Sequence, residues 1–225
     1  MNKLILIGTS HIAQQSIQEI EKTIQEQKPD LLALELDPQR FQALITNQKS
    51  KVRLSDVSRI GFKGFLFAAI GAYIQKKLGK MVGTAPGSEM LTAIKQAKKH
   101  QIPIALIDQD IAVTLRRFSQ TLTWKERFRF IADLFKGIFT RKKQLEKLGN
   151  IDLTKVPPKE LVKKLIGELK QRYPNIYKVL VEERNQIMIR NLKYLFQENP
   201  DKTVLAVVGA GHQDAIEQAF KSKTI

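Results

Sequence analysis

Val204-Leu205-Ala206-Val207-Val208, running into Gly209-Ala210-Gly211-His212, is the stretch that decides the fold. Five apolar residues, a glycine-punctuated turn and a polar side chain facing the next helical segment form the site-building unit of an α/β sheet, where ligands bind beyond the carboxyl ends of the strands. The phrase recurs at the other end of the chain, where Leu4-Ile5-Leu6-Ile7 runs into Gly8-Thr9-Ser10-His11. Two further apolar runs lie between them: 31–36, carrying Glu35 and closing on Asp37-Pro38, and 102–107, closing on Asp108-Gln109-Asp110. Helical spacing separates the runs, over 13–27 with Ile17, Ile20 and Ile24 in step, over 39–48, and over 88–100 with Ser88 as the expected N-cap. Strand and helix in alternation predict parallel βαβ units.

The fold expected is therefore α/β, a mostly parallel central sheet flanked by helices, in one domain over 1–225. From about 112 to 196 no strand pattern appears; Lys and Arg recur at helical spacing, broken at Gly149-Asn150 and Pro157-Pro158. That segment is expected to be an insertion of four helices between the third and last strands. In a parallel sheet the carboxyl ends share one edge, so His11, Glu35 with Asp37, Asp108 with Asp110, and His212 are expected to meet there.

Composition narrows the chemistry. The 225 residues, 43% of them hydrophobic, suffice to bury a full core. With no cysteine, disulfides and thiolate metal sites are excluded, so any metal must bind His, Asp and Glu. A net charge of +16 makes the surface cationic, which suits anionic partners such as phospholipid headgroups or nucleic acid, or leaves simply solvated basic helices. Trp124, Phe128, Phe130 and Tyr173 interleave with the basic residues of 125–172, but no recognised nucleic-acid-binding motif appears, which counts against that partner. The apolar start is too short for a secretion signal and the stretch 64–74 is about half a membrane span, so a cytoplasmic location is expected. A glycine-punctuated stripe, Phe62, Phe65, Phe67 and Ile70, is either helix packing or a face for an anionic membrane or a second copy of the chain.

Two histidines and a carboxylate with open positions for water are the composition of a catalytic zinc, manganese or cobalt site. His11, Glu35 and His212 are the candidate ligands; the competing reading makes each histidine a turn residue bonded to backbone. Glu35 lies in an apolar run, where an unpaired carboxylate would cost several kcal/mol, so it needs a partner: the metal, or Arg40 or Arg184 in a salt bridge. Asp37 either shares Glu35's face or, as Pro38 suggests, caps the following helix. Asp108 and Asp110 are candidates for orienting a histidine ring from behind, with a turn role open for Asp110. Glu89 has helix capping as its default reading.

Taken together, Gly8-Thr9-Ser10-His11, Glu35-Leu36-Asp37-Pro38 with Arg40, Pro86-Gly87-Ser88-Glu89-Met90, Ile107-Asp108-Gln109-Asp110-Ile111 with Thr114-Leu115-Arg116-Arg117, Glu183-Arg184-Asn185 with Met188, and Gly209-Ala210-Gly211-His212 resemble the TraB family, in order and over nearly the whole chain. That family includes pheromone-shutdown proteins and is related to the Tiki and GumN-like proteins. The resemblance implies a fold of the erythromycin-esterase and ChaN type. From the Tiki branch it implies metal-dependent peptidase activity on a divalent ion held by His11, His212 and Glu35. Arg40, Glu89, Arg184 and Asn185 match family motif positions; a guanidinium there would bind a substrate carboxylate or an oxyanion. Many TraB-like chains continue into membrane-spanning segments whereas this one ends shortly after Phe220, which implies either the soluble domain of a membrane-associated protein or a short member.

Two functions compete on these grounds. One is a metal-dependent hydrolase acting on peptides, with Glu89 as proton carrier. The other is a non-catalytic, membrane-associated module that binds peptides or scaffolds a partner.

Overall fold

The computed structural model describes residues 3–9, 14–46, 87–139 and 159–221. His11 and the stripe from Phe62 to Ile74 lie outside them. The elements, in order, are β1 (Lys3–Thr9), α1 (Gln14–Gln27), β2 (Leu31–Leu34), α2 (Pro38–Ile45), α3 (Ser88–Lys99) and β3 (Ile104–Leu106). Then come α4 (Ile111–Thr121), α5 (Trp124–Phe139), α6 (Lys159–Arg172), α7 (Pro174–Tyr177), a π-helical turn (Lys178–Glu182), α8 (Glu183–Glu198), β4 (Thr203–Gly209) and α9 (Ala210–Lys221).

The four strands are all parallel, in the order β1-β4-β2-β3. The last strand in the sequence thus inserts between the first two, Ile5 opposite Leu205 on one side and Ala33 opposite Ala206 on the other. This explains why 204–208 is so uniformly apolar. A central strand covered on both faces has no solvent side for polar residues, and Val204 through Val208 are fully buried.

Alternation along the strands sends side chains to two cores. Leu32, Leu34, Leu205 and Val207 pack with Ile20 and Ile24 of α1 and with Met90 and Ile94 of α3. Ala33, Val204, Ala206 and Val208 pack on the opposite face with Met188 and Leu192 of α8 and Ile216 of α9. The result is three layers, helix on sheet on helix.

The helical insertion is present, and among its described residues there is no strand. It has a small core of its own, Phe118, Ile176 and Val179, with Phe130 and Leu169 against it. Thr123 and Glu126 form a capping box at the start of α5, and the same Glu126 carboxylate accepts from the backbone N–H (2.9 Å) and side-chain amide (2.7 Å) of Asn175. One buried carboxylate therefore ties two helix starts together.

Three local expectations are corrected. β2 ends at Leu34, so Glu35 lies just past the strand, although its N–H still reaches Val207 of β4. Ser88 is the first helical residue of α3 rather than its cap; Gly87 caps it at φ 83°, a left-handed conformation that a residue without Cβ adopts freely. The last helix begins at Ala210, within the expected glycine turn, which puts His212 inside its first turn rather than ahead of it. No helix among the described residues is long and apolar enough to cross a membrane.

Candidate functional site

Glu35, Asp108 and His212 come together beyond the carboxyl ends of β2, β3 and β4, as a parallel sheet requires. Glu35 is two positions beyond Ala33, so it faces the α8 and α9 side of the sheet. It is 4% exposed. One carboxylate oxygen, Oε2, accepts from the Gly209 backbone N–H at 2.5 Å, at the N-terminal end of α9. The other, Oε1, receives Nη2 of Arg184 and stands 3.4 Å from Nε2 of His212.

Arg184 is the hub of an ionic ladder. Its Nε and Nη2 donate to the two oxygens of Asp108 at 3.1 and 2.6 Å, while the same Nη2 reaches Glu35. Asp108 also takes Nη2 of Arg40 at 2.5 Å, and Arg40 Nε reaches Asp37 at 2.6 Å. Burial alone would pull the Arg184 guanidinium down, but Glu35 and Asp108 outweigh it and hold the group above its ordinary value. Arg40 follows the same balance, with burial opposed chiefly by Asp108.

His212 is oriented by Asn185, whose amide oxygen lies 2.6 Å from Nδ1. An oxygen there places a proton on Nδ1 and turns Nε2 toward Glu35. A lone pair facing a carboxylate oxygen repels it unless a proton or a metal ion lies between. Two donors on one tetrahedral ion at roughly 2.0–2.1 Å stand about 3.3–3.4 Å apart. The observed 3.4 Å fits that separation, and a histidine whose far nitrogen is held by a second group is the usual arrangement of a metal ligand. Against this, Arg184 competes for the same Glu35 oxygen. Among the described residues no group of three or more metal-ligating side chains converges, and the third expected ligand, His11, lies outside them.

The other candidates are distributed as follows. Asp37 caps α2, accepting from the N–H groups of Gln39 and Arg40 at 2.8 and 2.9 Å, and so serves cap and ladder at once. Asp110 caps α4 through Ala112 N–H at 2.6 Å and takes the Gln39 amide at 3.2 Å. Glu89 is 1% exposed in the first turn of α3, whose chain leads back to the start of β3, so this turn lies toward the carboxyl edge of the sheet. Asn185 and Arg184 follow directly on the π-helical turn, whose wider winding resets the helix register ahead of them. Sequence reasoning missed the Gly209 N–H as a Glu35 partner and the sharing of Asp108 by two arginines. Both depend on which strands are neighbours, and no local spacing encodes that.

The model of the TraB/PrgY/gumN family matches residues 2–219. An uncharacterized protein of Methanocaldococcus jannaschii is 41% identical over 220 residues, covering 97% of this chain and 53% of that protein. The TraB domain-containing protein of Homo sapiens is 24% identical over 247 residues, 98% of this chain and 63% of that protein, and the one from Bos taurus is 24% identical with 96% and 62% covered. The chain thus spans little more than half to five-eighths of these relatives' lengths.

Proposed function

This chain belongs to the TraB/PrgY/gumN family, and from that membership and the geometry at His212 we propose that it is a metal-dependent hydrolase that cleaves peptides. The observation that carries the reading is Nε2 of His212, its ring held by Asn185, standing 3.4 Å from the Glu35 carboxylate, the separation of two ligands on one ion. Glu35 and His212 would hold a zinc, manganese or cobalt ion together with His11. Such an ion supplies Lewis acidity, polarising the scissile carbonyl and acidifying water.

The chain's own groups do the rest. Asn185 fixes the His212 tautomer and ring plane. The Gly209 N–H and Arg184 hold both Glu35 oxygens, so the carboxylate is set before substrate arrives. Asp108 and Arg40 brace Arg184 in turn. Arg40, with 30% of its side chain exposed against 16% for Arg184, is the guanidinium placed to meet a substrate carboxylate or an oxyanion. Glu89 is assigned to proton transfer on its burial toward this edge.

His11→Ala and His212→Ala, each tested for divalent metal content by elemental analysis and for peptide cleavage, are expected to lose both. Cleavage surviving either change refutes the proposal. One observation favours a second reading, a non-catalytic peptide-binding or membrane-associated scaffold: both oxygens of Glu35 already have donors within the protein. That reading expects metal-free purified protein and binding to anionic vesicles that weakens as salt rises.

A further inference from the structure

Two cavities open along α9, the second of which meets the candidate site at Asn185. One, of about 260 Å³, is walled by polar groups, with Gln15 and Glu19 of α1 and Gln213 of α9 around Gly8. A Cβ at position 8 would stand 2.2 Å from Gln213 Oε1, so a side chain there would push the Gln213 amide out of its place in this wall. The other, of about 180 Å³, has an aliphatic wall of Val162 and Ile166 of α6, Val181 of the π-helical turn and Ala215 of α9, and polar groups beside it from Asn185, Tyr177, Gln218 and the Lys163–Asp214 ion pair. Val162, Ala210 and Asp214 border both, so the two form one groove between α6 and α9. Gly211 and Gln213, the neighbours of His212, line its two halves.

The groove has a polar half and an aliphatic half on either side of Ala210. The aliphatic half has the size of a cavity that accepts one hydrocarbon side chain or a small ring. It reaches Asn185, whose amide is bonded to His212, so its occupant would sit one residue from that ring. Ion pairs from Lys159 to Glu217 (2.9 Å) and from Lys163 to Asp214 (3.3 Å) span from α6 to α9.

We propose that the cavity between Ile166, Val181 and Ala215 is a specificity pocket for an aliphatic side chain of a peptide lying in the groove. This rests on the hydrolase reading for its meaning, but binding there needs neither metal nor cleavage. Methylene-sized changes in an apolar pocket alter discrimination about tenfold or more, and a cationic side chain would lose hydration beside Asp214, a carboxylate that already pairs with Lys163.

The test is amide chemical-shift titration of the metal-free protein with acetyl-Gly-Leu-Gly-amide and acetyl-Gly-Lys-Gly-amide. The leucine peptide is expected to shift the Gly211 and Ala215 signals and to bind about tenfold tighter. Ala215→Phe, which fills the cavity, should abolish that preference. Ile166→Ala, which enlarges it, should move preference toward acetyl-Gly-Phe-Gly-amide, so the proposal stays testable even where the phenylalanine variant misfolds. Equal affinity for the two peptides, shifts confined elsewhere, or unchanged preference in a folded Ala215→Phe or Ile166→Ala variant overturns the pocket. The same titration on His212→Ala separates the two readings: retained leucine preference with no metal uptake or cleavage in the wild type leaves the pocket standing and removes the hydrolase.

Discussion

Replacing Arg184 by methionine removes the guanidinium that joins Glu35 to Asp108 while keeping a side chain of comparable length. Asp108 would retain Arg40 and the Gln109 N–H at 2.9 Å, so its loss is partial. Glu35 would retain the Gly209 N–H but lose the guanidinium at Oε1, where His212 stands 3.4 Å away and supplies a counter-charge when protonated. The damage therefore concentrates on a carboxylate that is 4% exposed. Removing one partner of a buried ion pair costs about 3–5 kcal/mol, because a charge is left desolvated and unmatched. At roughly 2–4 °C per kcal/mol for a chain of this size, Tm should fall on the order of 6–20 °C. Urea unfolding followed by circular dichroism measures the free-energy loss, and calorimetry the Tm. The double variant Glu35→Gln/Arg184→Met should recover part of the loss, since a neutral amide no longer needs a counter-charge. A single-variant loss below about 1 kcal/mol, or full additivity of the two changes, refutes the claim that Arg184 neutralises a buried Glu35.

Three further outcomes follow from particular contacts. On the proposed metal-dependent reading, Asn185→Ala should lower divalent-metal affinity by about 10- to 100-fold with little change in fold, measured by competition with a chromophoric chelator, because the His212 ring loses its orienting acceptor. Glu126→Gln should cost about 1–3 kcal/mol at neutral pH, since its carboxylate accepts from two helix starts. Burial would raise this carboxyl, but the Asn175 and Thr123 donors outweigh it and hold it below its ordinary 4.5. The folded form therefore binds its proton more weakly than the unfolded chain. The extra stability is complete above about pH 4.5 and disappears as pH falls through the lowered value, so urea midpoints of wild type and variant should converge in acid. Gly87→Ala should cost about 1–2 kcal/mol in urea unfolding, because φ 83° strains a residue with a Cβ, and that Cβ would also press on Leu44 at 3.1 Å.

The sequence by itself determined the layer architecture and the edge on which the site lies. Apolar runs ending in Gly8, Glu35, Asp108 and Gly209 are strands whose carboxyl ends must align if they are parallel, and the helical spacing between them requires that they be. The family could be read the same way, from six short phrases in order. Other features stayed open because local pattern does not decide them. Pro38 makes Asp37 a cap whatever else it does, but its pairing with Arg40 depends on how α2 sits against Asp108. Only the tertiary structure chose Arg184 over Arg40 as the partner of Glu35, and Asn185 over any carboxylate as the partner of His212 Nδ1. The physical reason is strand order. The insertion of β4 between β1 and β2 brings residues 149 and 174 positions apart in the chain, Arg184 and Gly209, onto the two oxygens of one buried carboxylate. A hydrophobic pattern records that a strand is buried on both faces; it does not record which neighbours bury it.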